Sequence, residues 1–354
     1  MNEIRLAAVA DAPFGFEAAT ADGSARILAV TGPDPSGARA TEEYELRERT
    51  HNAWLDVYAA IARRFGTRVP RNRQPPEPAT FRAPFRPLLT ENLSPEVLHG
   101  YGDPAVIRVD EDGGWYYLVA TSNDAPDAFP IARSRDLVDW EMAGFVFPRG
   151  RKPAWAADGE GVSDFWAPEM HRVGGEYRVY FAAREQDGHD LAIGVATSPS
   201  PGGPFETPPE PVLRGGVIDP HVVVDDGGAA FLLWKDDSNG VWPGLLHQLL
   251  HEHPRLIAEL LPDEADRRTA SLLATLWPWV RTLEPMERFF AQQVLMEAVT
   301  DRFSAVRNRL SAILGREADA AVRQAIHAVL VAMRTPVWAQ RLSADGRSLE
   351  GERT

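Results

Sequence analysis

Residues 101–122 read YGDPAVIRVDEDGGWYYLVATS: an Asp-Pro, a short apolar run, an acidic turn closed by two glycines, then an aromatic-rich apolar run. Two β-strands joined by a tight turn take this form. Glycine supplies the positive backbone angle of the turn, and alternating apolar residues cover one face of each strand. The same order returns twice. Pro168 heads EMHRVGGEYRVYFAA and Pro220 heads HVVVDDGGAAFLLW, so the three copies start at Pro104, Pro168 and Pro220, at intervals of 64 and 52 residues. Each hairpin is followed by a second common element: FPIARSRDLVDWE, LAIGVATSPSPGGPFE and TPVWAQRLSADGRSLEGE. The unit thus comprises about four strands. Four-stranded units repeated at this scale are the mark of propeller blades, which bury their faces against neighbours around a central axis.

The third copy is interrupted. Between Trp234 and Trp338 the apolar spacing changes to that of a helix, as at Val322, Ile326, Val329, Leu330 and Met333. Residues 243–334 read as a helical insertion of four or five helices packed as a small bundle, with breaks at Pro254, Pro262, Pro278 and Pro285. Near the start, residues 1–40 suggest a strand or hairpin. Over 42–65, Trp54, Tyr58, Ile61 and Phe65 form one stripe of an amphipathic helix, followed by the connector RVPRNRQPPEPATFRAPFRP. The expected organisation is an N-terminal α/β extension (1–84), propeller blades (85–242), the helical insertion (243–334) and a return to the blade (335–354). The fold class is mainly β, a propeller with about three blades present.

Composition narrows the function. With 354 residues, 44% hydrophobic and 25% charged, the chain can bury a real core. Its formal net charge of −14 would repel a phosphate backbone or an anionic membrane surface, so neither nucleic acid nor membrane is expected as a partner. The absence of cysteine excludes disulfides, thiolate zinc sites and cysteine nucleophiles. The opening MNEIRLAAVADAPFGFEAAT has neither the basic region nor the apolar run of a secretory leader, and a cytoplasmic location is the expectation. No Gly-rich phosphate loop joins a strand to a helix, so no nucleotide or other cofactor is expected.

The residue before each aligned proline holds the same structural place: Asp103, Ala167 and Asp219. An isolated Asp-Pro is usually turn chemistry. Two at equivalent repeat positions point instead to carboxylates shared by one site, the equipment for glycosidic bond cleavage, in which one group activates water and another releases the leaving oxygen.

The series GYGDPAV, SRDLVDWE, FWAPEMHRVGGEYRVYFAA, SPSPGGPFE and VIDPHVVVDDGGAAFLLW resembles glycoside hydrolase family 43, five-bladed propeller enzymes acting on arabinose- and xylose-containing glycans. The resemblance covers about residues 85–240 and 336–354. It implies an inverting mechanism with Asp103 as general base and Asp219 as the carboxylate that tunes and orients the acid. Trp166, with Phe165, matches the aromatic near the sugar pocket, though both also suit packing between blades. Glu169 shares a strand face with Ala167, and Glu169 and His221 are expected to line the substrate site. The family's general acid, a Glu on the first strand of the following blade, has no counterpart, because Glu350 and Glu352 read as solvated surface. Glu169 is the remaining substitute. The propeller is accordingly read as incomplete at its C-terminus, with poor hydrolysis expected of this chain alone. The alternative is an inactive carbohydrate-binding or interaction protein derived from the same propeller. The expected partner is an oligosaccharide or glycoside, with self-association through an open propeller edge or the helical insertion. His247, His251 and His253 have a spacing that can bind metal, but scattered helix-surface histidines are the commoner cause, and no metal site is expected.

Overall fold

A computed structural model describes residues 4–8, 16–20, 25–29 and 43–46 and most of residues 92–354, short stretches such as 159–163 and 187–189 excepted. The chain divides into two compact units, one of residues 1–80 with 238–334, the other of 81–237 with 335–354.

In the first unit, β1 (Ile4–Ala8), β2 (Phe16–Thr20), β3 (Ala25–Ala29) and β4 (Glu43–Leu46) form an antiparallel meander. The stretch read as helical from residue 42 therefore begins in a strand, with Tyr44 opposite Ile27, and the rest of it lies with the Pro-rich connector outside the described residues. The same unit holds six helices: α1 (Val241–Glu252), α2 (Arg255–Leu260), α3 (Glu264–Val280), α4 (Pro285–Thr300), α5 (Phe303–Arg316) and α6 (Ala320–Ala332). Their apolar stripes meet in one core that includes Leu246, Leu250, Leu273, Trp277, Leu310 and Ile326. The helices begin where local chemistry allows. Asp319 caps α6 by accepting from the N–H groups of Ala321 and Val322, and Pro285 opens α4, where its missing N–H costs nothing. Pro278 does not break the chain, contrary to expectation. It sits in the last turn of α3, and the Ala274 carbonyl that loses its helical donor accepts from His251 Nδ1 at 2.7 Å.

The second unit is built of antiparallel sheets. One holds β5 (Gly102–Val109), β6 (Trp115–Thr121), β7 (Ala128–Ser134) and β8 (Trp140–Phe147), in that order. The next holds β9 (Trp166–Val173), β10 (Glu176–Arg184) and β11 (Leu191–Ser198). The last holds β12 (Val217–Val224), β13 (Ala230–Asp236), β14 (Val337–Leu342) and β15 (Leu349–Glu350). The β9–β10 hairpin shows why the glycines recur: Val173 pairs with Glu176, leaving Gly174 and Gly175 as a two-residue turn with φ of 62° and 89°. The middle sheet lacks a regular fourth strand. In FETPPEPVLR three prolines remove ladder donors, and only isolated bridges form, Thr197 with Glu206 and Ile193 with Leu213. Lys235 on β13 pairs with Val337 on β14, so the chain re-enters this sheet beside the point where it left.

Two apolar layers join the sheets. Phe129, Phe147, Phe165, Phe181 and Trp155 fill the first, in edge and stacked contacts with centroids 5.1–6.0 Å apart. Gly194 is required there: a Cβ would fall 2.5 Å from Trp155 and 2.6 Å from Phe181. The second layer contains Tyr180, Ile193, Val222, Leu232 and Trp234. It is pinned by the Tyr180 hydroxyl, which donates to the Gly346 carbonyl at 3.0 Å, and burial pushes that phenol up to about 12. The first strands of the three sheets are neighbours, with β9 packed against both β5 and β12.

Candidate active site

Each first strand departs from regular pairing at the same place. The register slips between Gly102 and Ala105, opposite Tyr180 and Ala182, and between Ile218 and His221, so a two-residue Xaa-Pro opposes one residue of the partner strand. Proline cannot donate to the ladder, which makes a bulge the natural outcome. The residue before each proline is left-handed, with φ of 46° at Asp103, 49° at Ala167 and 57° at Asp219. A non-glycine residue there costs roughly 1–2 kcal/mol, and such strain persists where the surrounding structure fixes it, often at functional sites.

The two aspartates share this backbone and differ in their partners. Asp103 accepts a hydrogen bond at Oδ2 from the Thr121 hydroxyl at 2.8 Å, and the same hydroxyl oxygen accepts the Ala167 N–H at 2.9 Å. Thr121 thereby ties the carboxylate of the first sheet to the bulge of the middle one. Asp219 instead pairs with Lys235 Nζ at 3.1 Å. Both carboxylates are open to solvent.

Glu169 and His221 come together with a residue that sequence reasoning passed over. Glu169 Oε2 lies 3.5 Å from His171 Nε2 and 3.5 Å from His221 Nδ1, and the two imidazoles meet edge to face at 5.2 Å. These three donor atoms all lie within 4.8 Å of one another, an arrangement able to hold a cation. Burial pushes the Glu169 carboxyl up, but the two histidines outweigh it and hold the group below the ordinary glutamate value. A carboxylate kept ionised is poorly suited to donate a proton, which weighs against Glu169 as the substitute acid.

The remaining candidates have structural surroundings. Phe165 is 0% exposed in the aromatic layer and presents no surface to a sugar, a correction to its expected place in the substrate site. Trp166 is half-buried against Ala182, Leu191 and Ile218. Glu350 and Glu352 are exposed, and a surface recess bordered by Phe231, Arg341, Glu350 and Thr354 contains none of the aspartates. Both helix histidines use Nδ1 internally: His247 donates to the Pro243 carbonyl at 2.7 Å and stacks on Trp277, and His251 serves Ala274. Besides His171, sequence reasoning missed Thr121 and Lys235. His171 could have been found by reading the repeat face by face, since it lies two residues after Glu169 on one strand.

Carboxylates set at matching bulges of adjacent antiparallel sheets are the groups with which glycoside hydrolases work. The comparison with known families agrees: residues 94–263, just under half of the chain, match the sequences described as Glycosyl hydrolases family 43. The chain is 43% identical over 81 residues to xylosidase/arabinosidase 43A of Humicola insolens, covering 23% of each chain. It is 32% identical over 118 residues to arabinan endo-1,5-alpha-L-arabinosidase A of Aspergillus niger, covering 30% of this chain and 34% of that one. The chain thus covers about a quarter to a third of the length of these curated relatives. Among solved structures, an endo-arabinase from Bacteroides thetaiotaomicron is 18% identical, with a TM-score of 0.39 over 74% of this chain and 58% of that one.

Proposed function

We propose that the protein hydrolyses O-glycosyl bonds of arabinose- or xylose-containing glycans with inversion, on a propeller whose blades are the three sheets of the second unit and whose third blade carries the helical segment as an insertion. Asp103 acts as the general base that activates water, and Asp219 is the second carboxylate that tunes and orients the acid. The observation that carries this reading is the pair of aspartates at matching left-handed bulges on first strands that both flank β9. Asp103 suits a base because its partner is a neutral hydroxyl, which leaves the second carboxylate oxygen to water. Asp219 suits a tuning role because its charge is engaged by Lys235. Relatives named as xylosidase/arabinosidase and arabinan endo-arabinosidase support the glycan class.

One observation favours a second reading. Glu169, on the β9 strand that packs against both aspartate-bearing strands, has its carboxyl held below the ordinary glutamate value by the two histidines, which fits a protein that binds a glycan without protonating its leaving oxygen. Turnover of aryl α-L-arabinofuranosides and β-D-xylosides, measured beside arabinan and xylan, separates the two. The hydrolase reading expects measurable turnover, larger on the aryl substrates because a good leaving group needs less protonation, and its loss in Asp103→Asn. Saturable binding of arabino- or xylo-oligosaccharides with no turnover on either substrate type would establish the binding protein instead.

A further inference from the structure

We propose that the outward face of the sheet formed by β12, β13, β14 and β15 is an interface on which a second copy of this chain docks about a two-fold axis. The inference rests on that sheet and is independent of the hydrolase reading. Register decides which side chains share the face. Val223 stands opposite Phe231, Phe231 opposite Arg341 and Arg341 opposite Glu350, one row across the sheet. The next rows on the same side hold Leu233 with Ala339, and Lys235 with Val337. The intervening Val222, Leu232 and Trp234 point the other way, into the second apolar layer.

An antiparallel sheet with one solvated face normally alternates apolar and polar residues. β13 does not. Ala230, Phe231, Leu232, Leu233 and Trp234 are apolar in succession, the composition of a strand covered on both sides. Only one side is covered within the chain. Val223 and Val337 are 44% and 67% exposed, and Phe231 and Leu233 on the strand between them are part-exposed and belong to neither apolar layer of this unit. Contiguous apolar surface rimmed by polar groups marks a place of association.

The charges at the rim select the occupant. Arg341 and Glu350 face each other across the ladder, both are exposed, and among the described residues neither is in an ion pair. A partner of one sign at this rim would leave one of them opposed, whereas a copy of the same surface answers both. A two-fold axis along β14 does this: it sets Val337 on Val337 and Ala339 on Ala339 at the centre, and brings each Arg341 alongside Glu350 of the other copy.

Sedimentation velocity on the full 354-residue chain over a wide concentration range tests the interface. The expected result is a reversible monomer–dimer equilibrium. Val337→Lys, at an exposed position, puts like charges on the axis and should abolish the dimer, while Val331→Lys, also exposed but on α6, should leave it unchanged. The rim is tested between copies. Arg341→Glu sets a carboxylate against Glu350, and Glu350→Arg sets a guanidinium against Arg341; because the contact occurs twice, each variant alone should weaken association about tenfold. Mixing the two variants restores opposite charges at both contacts, so a heterodimer as tight as the unaltered dimer should form. A folding defect in either variant would not be repaired by mixing. A single-chain mass at every concentration overturns the proposal, and so does a mixture that associates no better than its components. A dimer that survives Val337→Lys overturns it too, whether or not Val331→Lys dissolves that dimer and moves the interface to the helices.

Discussion

The two units solve the problem of placing polar groups in opposite ways. Among the described residues every non-glycine residue with positive φ lies in the β unit: Asp103, Phe129, Leu137, Asp164, Ala167 and Asp219. The described residues of the helices between 241 and 332 have none, and several of their buried polar groups are satisfied locally, as when Thr275 donates to the Ser271 carbonyl one turn back. Three of the six, Asp103, Ala167 and Asp219, sit at the matching bulges, and two of these carry the candidate carboxylates. The helical unit spends its sequence on burial. Backbone strain thus separates the two units among the described residues, and half of it falls at the bulges of the candidate site.

The largest expected effect tests whether the strained positions do chemistry at all. Asp103→Asn keeps the shape and the Thr121 contact but cannot take a proton, so kcat on aryl arabinofuranosides or xylosides should fall by about 10²–10⁴-fold. Asp219→Asn, which removes only a tuning charge, should cost less. An equal or reversed order in steady-state kinetics would show that the assignment of the two aspartates is the wrong way round.

The next effect probes the helical unit. Burial drives the His247 imidazole down to about 4, against the upward pull of the Pro243 carbonyl, and its Nε2 has no partner. The native pKa is below the ordinary value of about 6.5, so in that window the unfolded chain binds a proton that the folded one refuses, and stability falls as pH falls. The shift is worth about 3 kcal/mol, lost between roughly pH 6.5 and pH 4. Denaturation midpoints across that range should show the loss in the unaltered protein and a flatter profile in His247→Leu. Equal slopes would mean that His247 is not the group responsible.

Contrasting the partners of the two aspartates gives a smaller effect. Thr121→Val leaves both the Ala167 N–H and Asp103 Oδ2 without their shared partner, and an unmet part-buried polar group costs about 1–3 kcal/mol. Lys235→Met removes an ion pair whose two side chains are 25% and 51% exposed, worth about 0–1 kcal/mol. Chemical denaturation should therefore rank Thr121→Val as the more damaging.

Much of the β unit was legible because its signals are local. Asp-Gly and Gly-Gly turns between alternating apolar runs mark hairpins, and the aligned prolines bring out equivalent positions. The match to family 43 spans those same residues. What could not be read depends on contacts between sheets. Thr121 ends an ordinary strand, and nothing in LVATS announces that its hydroxyl will join two sheets. Glu169, His171 and His221 form a cluster only once β9 and β12 are side by side, and Phe165 differs from an exposed aromatic only by the three rings around it. Pro278 was misread for a similar reason: the histidine that rescues its orphaned carbonyl lies on another helix.

The smallest effect is the sharpest test of the comparison, because one substitution should change sign between the units. At Ala167, with φ of 49°, the methyl group is held in a left-handed conformation that costs roughly 1–2 kcal/mol for a residue with a Cβ. Glycine removes that cost, while its freer unfolded chain returns about 0.5–1 kcal/mol of it. Ala167→Gly should thus stabilise the protein by up to about 1 kcal/mol, with the Ala167 N–H still donating to Thr121. Ala312 is exposed in the interior of α5, where the backbone is helical and no strain is stored. Ala312→Gly should destabilise by about 1 kcal/mol through helix propensity alone. Equilibrium denaturation of both variants decides the matter. If Ala167→Gly also destabilises, the bulge at the middle sheet is not strained in solution, and the positive angles of Asp103 and Asp219 lose their standing as a mark of function.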